Sequence, residues 1–286
     1  MINCVKLISI ADIVFRLKSE VPFQFSERCK PFELKNNECN IDMDMYIMQG
    51  TEKNFDDFGE VYSFEDVVIK RSQSKSVKIK YDSTDKKNVV WQSVHADGSK
   101  DYKVTIINKA EEFSAINPLL FLDLSQTLIE FKTMILHSSI IKYKDTGIIF
   151  TAPSGTGKST QADLWVQYKN AEIINGDRTF IRNCESYTAY GSPYAGSSQI
   201  YKNIKADIKA IVVLRQAAYN RIRKLSKKEA YLCLISEMSI SSWDKETVKQ
   251  QSIWLSDLTD RVPIYMLECT ISQEAVDILH KELYGE

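Results

Sequence analysis

The fold is decided by one stretch of the chain, Ala152-Pro153-Ser154-Gly155-Thr156-Gly157-Lys158-Ser159-Thr160. It matches the phosphate-binding pattern G-x-x-x-x-G-K-[ST], except that Ala152 stands where the pattern has its first glycine. An apolar strand-like run precedes the stretch and a helix-forming run follows it, which is the context that the pattern requires. The sequence therefore predicts a phosphate-binding loop (a P-loop) between a strand and a helix.

The residue types of this stretch explain how such a loop would bind phosphate. Gly155 and Gly157 let the backbone curl so that consecutive N–H groups point at phosphate oxygens, and the following helix adds its positive N-terminus. Lys158 can reach the β- and γ-phosphates, and the Ser159 hydroxyl can coordinate Mg²⁺. We therefore predict that the chain binds ATP and Mg²⁺, with nucleotide contacts from Ser154, Gly155, Thr156, Gly157, Lys158, Ser159 and Thr160.

A P-loop acts together with a carboxylate that lies beyond the next strand. Asp177 directly follows an apolar strand and is the candidate to hold the metal or to accept a proton, together with Lys158 as a catalytic residue. An ordinary Asn-Gly-Asp turn is the alternative for Asp177. His137, at the start of the strand before the loop, is a further catalytic candidate, although an isolated histidine more often has a structural role.

A second loop signal lies at residues 190–198, where two glycines, a proline and several hydroxyl groups occur together. Ser192, Tyr194 and Ser197 are the candidates for contact with the acceptor substrate, and simple turn formation is an equal alternative. Arg215, Arg221 and Arg223 follow a buried strand, and a solvated rim is the favoured interpretation of each.

Periodicity divides the chain into two parts. Residues 1–112 carry short alternating runs, at 76–81 and 101–106 for example, which predict a β-rich N-terminal domain. Residues 113–286 predict an α/β domain. The predicted elements there are a helix from Asn117 through Leu120, Leu124, Leu128, Phe131 and Ile135, strands at 137–141, 147–151, 172–174 and 210–214, helices at 158–168 and from Ser226, an edge strand at 262–267 and a helix at 273–284 ended by Gly285.

Composition excludes several classes of protein. The chain has 286 residues, of which 44% are hydrophobic and 26% charged, and its net charge is −1. No basic field attracts nucleic acid or anionic lipid, and no apolar run reaches the ~20 residues of a membrane span. The N-terminus lacks the features of a signal peptide, and the six cysteines lack zinc-binding spacing. We expect a cytoplasmic protein with no nucleic-acid or membrane partner.

Roughly residues 117–215 resemble the catalytic core of the bacterial HPr kinase/phosphorylase group, whose P-loop type the phosphoenolpyruvate carboxykinases share. The likeness is strongest to HPr-kinase-like proteins of peptide-modification clusters, including kinases of lasso-peptide precursors, which share the loop Gly191-Ser192-Pro193. The resemblance implies a P-loop kinase core with His137 and Asp177 in the site. Arg178 replaces the second aspartate of the family's Asp-Asp pair, and a second metal carboxylate is not placed, although Glu185 is available.

The leading hypothesis is therefore an ATP- and Mg²⁺-dependent kinase that phosphorylates a hydroxyl group, most readily a serine of a peptide or small protein such as a ribosomal peptide precursor. A small-metabolite kinase is the first alternative. The second is a nucleotide-binding regulator without phosphotransfer. Phosphoenolpyruvate carboxykinase activity is disfavoured because the chain is short for that family. Assembly of the related kinases implies a possible homo-oligomer.

Overall fold

The computed structural model describes residues 2–35, 39–107 and 110–285. The chain divides into two compact units, one up to Thr127 and one from Leu128 onward. The sequence places a domain boundary after residue 112, and the structural division lies 15 residues further on (127 − 112). Both units contain a large sheet, and the protein is a mixed α/β protein.

In the described part of the first unit, nine strands form one sheet. Their order across the sheet is β3-β1-β2-β4-β9-β8-β7-β6-β5. The strands are β1 (Cys4–Ile10), β2 (Ile13–Ser19), β3 (Glu33–Leu34), β4 (Met43–Gly50), β5 (Gly59–Phe64), β6 (Val67–Arg71), β7 (Lys75–Tyr81), β8 (Val89–Ala96) and β9 (Asp101–Ile107). Short 3₁₀ helices span Lys30–Phe32, Ala110–Phe113 and Pro118–Phe121.

Alternation of apolar and polar residues accounts for these strands. Ile13, Phe15 and Leu17 of β2 are buried, whereas the residues between them are partly exposed. Successive side chains of a strand point to opposite faces of the sheet, so the apolar residues bury one face of β2 and the polar residues lie on the more exposed face. The predicted strands at 76–81 and 101–106 are confirmed as parts of β7 and β9.

Lys78 on β7 provides a pH-dependent test of the first unit. Its Nζ donates a hydrogen bond of 2.8 Å to the Leu122 carbonyl, and burial lowers the pKa of its ammonium group to about 8. Because the unfolded chain keeps the usual pKa of about 10.4, it binds more protons than the folded chain between the two values. The contribution of Lys78 to stability should therefore rise by about 2 kcal/mol between pH ~8 and ~10.4.

Urea unfolding of the wild type and of Lys78→Met at several pH values measures this contribution. The difference in free energy of unfolding between the two proteins should be constant below pH ~8 and shift in favour of the wild type above it. Comparing the two proteins cancels the titration of the other lysines and tyrosines. Parallel pH profiles would show that Lys78 keeps an ordinary pKa.

In the second unit, the described residues form an eight-stranded sheet and four further helices after α1 (Leu124–Glu130). The strand order is β11-β10-β13-β14-β15-β17-β16, with β12 paired to β10 and β11 also paired to β15. The elements are β10 (Thr133–Tyr143), β11 (Thr146–Thr151), α2 (Lys158–Lys169), β12 (Glu172–Asn175), β13 (Arg178–Asn183), β14 (Tyr187–Tyr190), β15 (Lys205–Gln216), β16 (Arg221–Lys224), α3 (Lys227–Ile235), α4 (Lys245–Arg261), β17 (Ile264–Cys269) and α5 (Gln273–Tyr284).

Helices cover both faces of this sheet. One core cluster contains Leu234 of α3 and Leu255 of α4, and the other contains Trp165 of α2 and Leu279 of α5. The predicted capping box at Ser226 is confirmed, with Glu229 closing it, and Gly285 ends α5 at a φ of 75°. Among the described residues, no helix has the length and apolar content to cross a membrane.

Two predicted elements are wrong. The helix from Asn117 to Ile135 is broken, because Asn117 caps a 3₁₀ turn, Leu122 is extended and Lys132 adopts a φ of 53°. Ile135 consequently lies in β10, where its β-branched side chain is favoured. The strand after Pro263 is not at an edge, since β17 lies between β15 and β16, and Pro263 precedes its first residue.

Candidate functional site

The glycine-rich loop (residues 152–157) joins β11 to α2, as the sequence predicts. Gly155 has a φ of 78° and Gly157 a φ of 108°, in the left-handed region that favours glycine. A Cβ added at either position would meet nothing within 4 Å, so open space adjoins both residues. Gly157 caps α2 without a side-chain hydrogen bond, which leaves the N-terminal turn of this helix accessible to an anion.

Lys158 is folded back across this loop. Its Nζ donates to the carbonyl oxygens of Ala152 at 2.7 Å and Pro153 at 3.3 Å, and the residue is only 8% exposed. Burial lowers the pKa of the ammonium group, whereas the nearby carboxylates of Glu237 and Asp177 act in the opposite direction. Lys158 is therefore bonded to the loop and lies within electrostatic reach of two acidic side chains.

Three titratable side chains meet on one side of the loop. His137 Nδ1 lies 3.1 Å from Glu237 Oε2, and His137 Nε2 lies 4.0 Å from Asp177 Oδ1. Because a carboxylate only accepts hydrogen bonds, Nδ1 carries the proton in the contact with Glu237. The side chains of His137, Asp177 and Glu237 line a cavity of about 250 Å³, together with Arg178, Ser236, Met238 and Ser239.

Backbone pairing brings these distant segments together. His137 on β10 pairs with Arg178 on β13, and Ser138 N donates to the Asp177 carbonyl at 2.9 Å. On the other side, His137 N donates to the Glu237 carbonyl at 2.9 Å, and Ser239 N donates to Ile135. The segment that follows α3 is thus hydrogen-bonded along β10 through its backbone, and this pairing places Glu237 beside His137.

The side chain of Asn175 hydrogen-bonds to the backbone of the turn that carries Asp177. Its fully buried amide donates from Nδ2 to the carbonyls of Ser192 at 3.0 Å and Tyr194 at 2.6 Å. Its Oδ1 accepts 2.9 Å hydrogen bonds from the backbone N–H groups of Asp177 and Arg178. This one side chain therefore fixes the turn that carries Asp177 and the loop at residues 191–198 relative to each other.

We expect Asn175→Ala to lower the free energy of unfolding by about 3 kcal/mol, because four backbone groups lose the same buried partner at once. Chemical denaturation of the variant measures this loss. Ser197→Ala, at an exposed position of the same loop, is the matched control and should change stability by less than about 0.5 kcal/mol. Equal stabilities of the wild type and Asn175→Ala would contradict the organising role of this amide.

The loop at residues 191–198 packs closely against the aspartate. A Cβ added to Gly196 would lie 3.0 Å from Asp177 Cβ, and one added to Gly176 would lie 2.1 Å from Ser198 Oγ. The Tyr194 ring lies under the Arg178 guanidinium group, 4.8 Å from its carbon. The loop is therefore closely packed against the turn that carries Asp177.

The predicted substrate-contact residues differ in position. Ser192 is fully buried, and its hydroxyl donates to the Arg178 carbonyl at 2.7 Å, so it stabilises the loop from inside. Tyr194 is partly exposed beside Arg178, and Ser197 is exposed. Of the three, only Tyr194 and Ser197 present surface that a substrate could touch, and contact with substrate stays a prediction for them.

Other candidates lie elsewhere. Glu185 is in the turn between β13 and β14, at the end of β13 opposite to Asp177, so it is not the second carboxylate beside Asp177. The residue in that place is Glu237, which no sequence pattern distinguishes from the other surface glutamates. Arg221 is bound by Glu268 through a hydrogen bond of 2.8 Å, whereas Arg215 is 70% exposed and 3.9 Å from the same carboxylate.

The residues present fit Mg²⁺ bound with phosphate rather than a metal held by protein alone. In residues 2–35, 39–107 and 110–285, no group of three or more His, Cys, Asp or Glu side chains is arranged to hold a metal ion. Mg²⁺ is typically bound by one or two carboxylates plus substrate phosphates. Ser159, at the start of α2, and Asp177 offer a hydroxyl and a carboxylate of this kind.

The other side of the loop adjoins a cavity of about 600 Å³, which is large enough for a nucleotide. Gln161, in the first turn of α2, has a buried Nε2 with no hydrogen-bond partner among the described residues. The cavity is lined by Gly155, Thr156, Gly157, Thr160, Gln161, Leu214, Gln216, Ala217, Cys269, Thr270 and Ile271.

Comparison with known proteins gives little further information. No protein family model matches the chain, and no curated protein matches it. Among solved structures, the HPr(Ser) kinase/phosphatase from Coxiella burnetii is similar over 52% of this chain and 94% of its own, with 8% sequence identity and a TM-score of 0.31.

Proposed function

We propose that this protein is an ATP- and Mg²⁺-dependent kinase that transfers the γ-phosphoryl group to a hydroxyl group. The first candidate for the acceptor is a serine of a peptide or small protein. The observation that carries this proposal is the position of Lys158. Its Nζ hydrogen-bonds to a glycine-rich loop beside a nucleotide-sized cavity. The carboxylates of Asp177 and Glu237, which line a second cavity with His137, act on its charge.

The loop and its lysine would hold the phosphates of ATP. Backbone N–H groups at residues 154–160 bind phosphate oxygens, and Lys158 exchanges its two carbonyl contacts for oxygens of the β- and γ-phosphates. Mg²⁺, when held by Ser159, Asp177 and the phosphates, supplies positive charge that neutralises the triphosphate. These groups act by positioning and by electrostatic stabilisation rather than by covalent chemistry.

The acceptor hydroxyl would enter the cavity that contains Asp177. Its oxygen forms a bond to the γ-phosphorus while the bond from that phosphorus to the β–γ bridging oxygen breaks, and ADP leaves with the electron pair. Asp177 orients the hydroxyl and accepts its proton. His137 lies next to this carboxylate, and its contact with Glu237 fixes the orientation of the ring.

Two acceptor classes are supported by different features. A peptide acceptor rests on the sequence resemblance, in particular on the loop Gly191-Ser192-Pro193. A small metabolite with a hydroxyl group is the second candidate, because the cavity at Asp177 is only about 250 Å³ and is lined by charged side chains of both signs. The regulator hypothesis has no comparable support, since it assigns no task to the charged cluster.

Formation of ADP from MgATP, with and without acceptors of each class, tests the proposal. Serine-containing peptides should accelerate ADP formation and gain one phosphate, whereas peptides with alanine in place of serine should not. Acceleration by hydroxyl metabolites alone would select the second acceptor class. ADP formation that no acceptor accelerates would contradict kinase activity and support the regulator.

A further inference from the structure

Arg178 is a charged residue to which the reaction described above assigns no task. It is one of the residues that line the cavity of about 250 Å³ at Asp177, and its side chain is 45% exposed. We propose that its guanidinium group binds an anionic group, a carboxylate or a phosphate, that the acceptor carries close to its hydroxyl group. This inference rests on the proposed function and names the chemical class of acceptor that the site selects.

The two oxygens of the Asp177 carboxylate have different neighbours. Oδ1 lies 4.0 Å from His137 Nε2, and Oδ2 lies 4.0 Å from Arg178 Nε. A hydroxyl group hydrogen-bonded to Oδ2 at about 2.8 Å therefore lies within about 7 Å of Arg178 Nε. Neighbouring residues of a peptide are about 3.8 Å apart at their Cα atoms. An anionic group on the next residue, or a few bonds away in a small molecule, is thus within reach of the guanidinium group.

The guanidinium group of Arg178 keeps its hydrogen-bonding capacity for a ligand. Within the part of the chain that the structure describes, its one ion pair is with Asp177, and 4.0 Å is too long for a hydrogen bond. The N–H donors of a guanidinium group form a planar fork that matches the oxygens of a carboxylate or a phosphate. An anionic group of the acceptor can therefore accept parallel hydrogen bonds from this side chain.

The loop at residues 191–198 holds the arginine in position. The guanidinium carbon lies 4.8 Å from the centre of the Tyr194 ring, a cation–π contact that supplies no oxygen acceptor to its N–H groups. Asn175 accepts a hydrogen bond from the Arg178 N–H and donates one to the Tyr194 carbonyl, so one amide fixes both residues. A donor group that is positioned before binding loses less conformational entropy when the ligand arrives.

The charges in the cavity explain why an anionic acceptor needs this arginine. Asp177 and Glu237 both line the cavity, and their carboxylates repel another anion. Among the lining residues that the structure describes, Arg178 is the one that carries a positive charge at every pH. The described lining of the larger cavity, beside the glycine-rich loop, does not include Arg178. The position of the arginine therefore fits contact with the acceptor better than contact with the nucleotide.

Acceptors that differ only in charge test the proposal. Two peptides carry either aspartate or asparagine next to the same serine, and glycerate is compared with glycerol as a small hydroxyl acceptor. The wild type should use the anionic acceptor with a kcat/KM about tenfold higher, because a charge-assisted hydrogen bond stabilises its complex. A preference among the peptides or among the small molecules identifies which of the two carries the anionic group.

Arg178→Met retains the aliphatic stem and removes the charge, so the ratio of kcat/KM between anionic and neutral acceptors should fall to about one. The loss should appear as a higher KM for the anionic acceptor. Because both acceptors are compared on one enzyme, the ratio cancels any effect of the substitution on Asp177. Arg178→Lys should retain part of the preference, since lysine keeps the charge without the planar fork. Arg223→Met, on β16, is the matched control at 46% exposure and should keep the wild-type ratio.

Salt provides a test that needs no substitution. Because the side chain of Arg178 is partly exposed, dissolved ions screen its attraction for an anionic group. The wild-type ratio of kcat/KM between anionic and neutral acceptors should therefore decrease several-fold between about 0.05 M and about 0.5 M KCl. A ratio that does not change with salt would show that charge does not select the acceptor.

The outcomes distinguish this inference from the proposed function. Equal use of anionic and neutral acceptors by the wild type would overturn the role of Arg178 and leave the kinase proposal standing. An equal loss with both kinds of acceptor in Arg178→Met would place the arginine at Asp177 or at the transferred phosphoryl group, which also overturns the inference. Transfer to no acceptor at all would overturn both proposals.

Discussion

Replacing Lys158 by methionine is expected to reduce phosphoryl transfer about a thousandfold. This ammonium group hydrogen-bonds to the glycine-rich loop itself, and in the transition state its task is to stabilise charge on the transferred group. The variant should remain folded, because methionine retains the buried aliphatic stem and the lost charge is one that burial disfavours. Rates of ADP formation with acceptor present measure the effect.

The control for this substitution is Lys249→Met, at a position on α4 where the lysine side chain is 69% exposed. It makes the same chemical change away from the site and should keep the wild-type rate. The unfolding temperatures of both variants should be within a few degrees of the wild type. A Lys158→Met protein that is folded and transfers phosphate at the normal rate would contradict the role of the loop.

Asp177→Asn is expected to have an effect of similar size, also about a thousandfold on turnover. The change leaves the shape of the side chain and its packing against Gly196 intact, and the backbone hydrogen bond from Asp177 N to Asn175 persists. The amide cannot accept the acceptor proton, and it is a poorer ligand for Mg²⁺ than a carboxylate. The Mg²⁺ concentration needed for half-maximal rate should consequently rise together with the loss of turnover.

Titration of the rate with Mg²⁺ in wild type, Asp177→Asn and Asp163→Asn measures both effects. Asp163 is an exposed carboxylate of α2, so its variant changes the net charge equally without reaching the site. It should show the wild-type rate and Mg²⁺ dependence. If Asp177→Asn behaved like this control, the aspartate would be a turn residue only, which is the alternative that the Asn-Gly-Asp sequence leaves open.

Local signals in the sequence account for most of the second unit. The order strand, glycine-rich loop, helix at residues 146–169 follows from a spacing pattern in which each residue type has a mechanical reason. The antiparallel pair β10–β11 was predictable because an apolar run on each side flanks a short polar turn. Helix prediction failed at residues 117–135, since an apolar stripe says nothing about the left-handed backbone at Lys132 that ends α1.

The site itself was only partly predictable. Lys158 and Asp177 have local signals, namely the glycines before the lysine and the apolar strand before the aspartate. Glu237 has none, because its place beside His137 depends on pairing between segments 100 residues apart in the chain. Asn175 was missed for a related reason, since burial and hydrogen-bond satisfaction are properties of the packed structure. The alternation of apolar and polar residues in 1–112 predicts strands, but it does not predict what the sheet that they form binds.

The most direct test of kinase activity is transfer of a labelled γ-phosphoryl group from MgATP to candidate acceptor peptides that are encoded near the gene of this protein. The intact masses of the peptides are compared between the wild type and Lys158→Met. We expect a peptide to gain one phosphate on a serine, at a rate that depends on Lys158. Phosphate gained by a hydroxyl metabolite instead would retain the kinase and change its acceptor. ATP that binds to the protein and stays intact with every peptide and metabolite offered would contradict kinase activity.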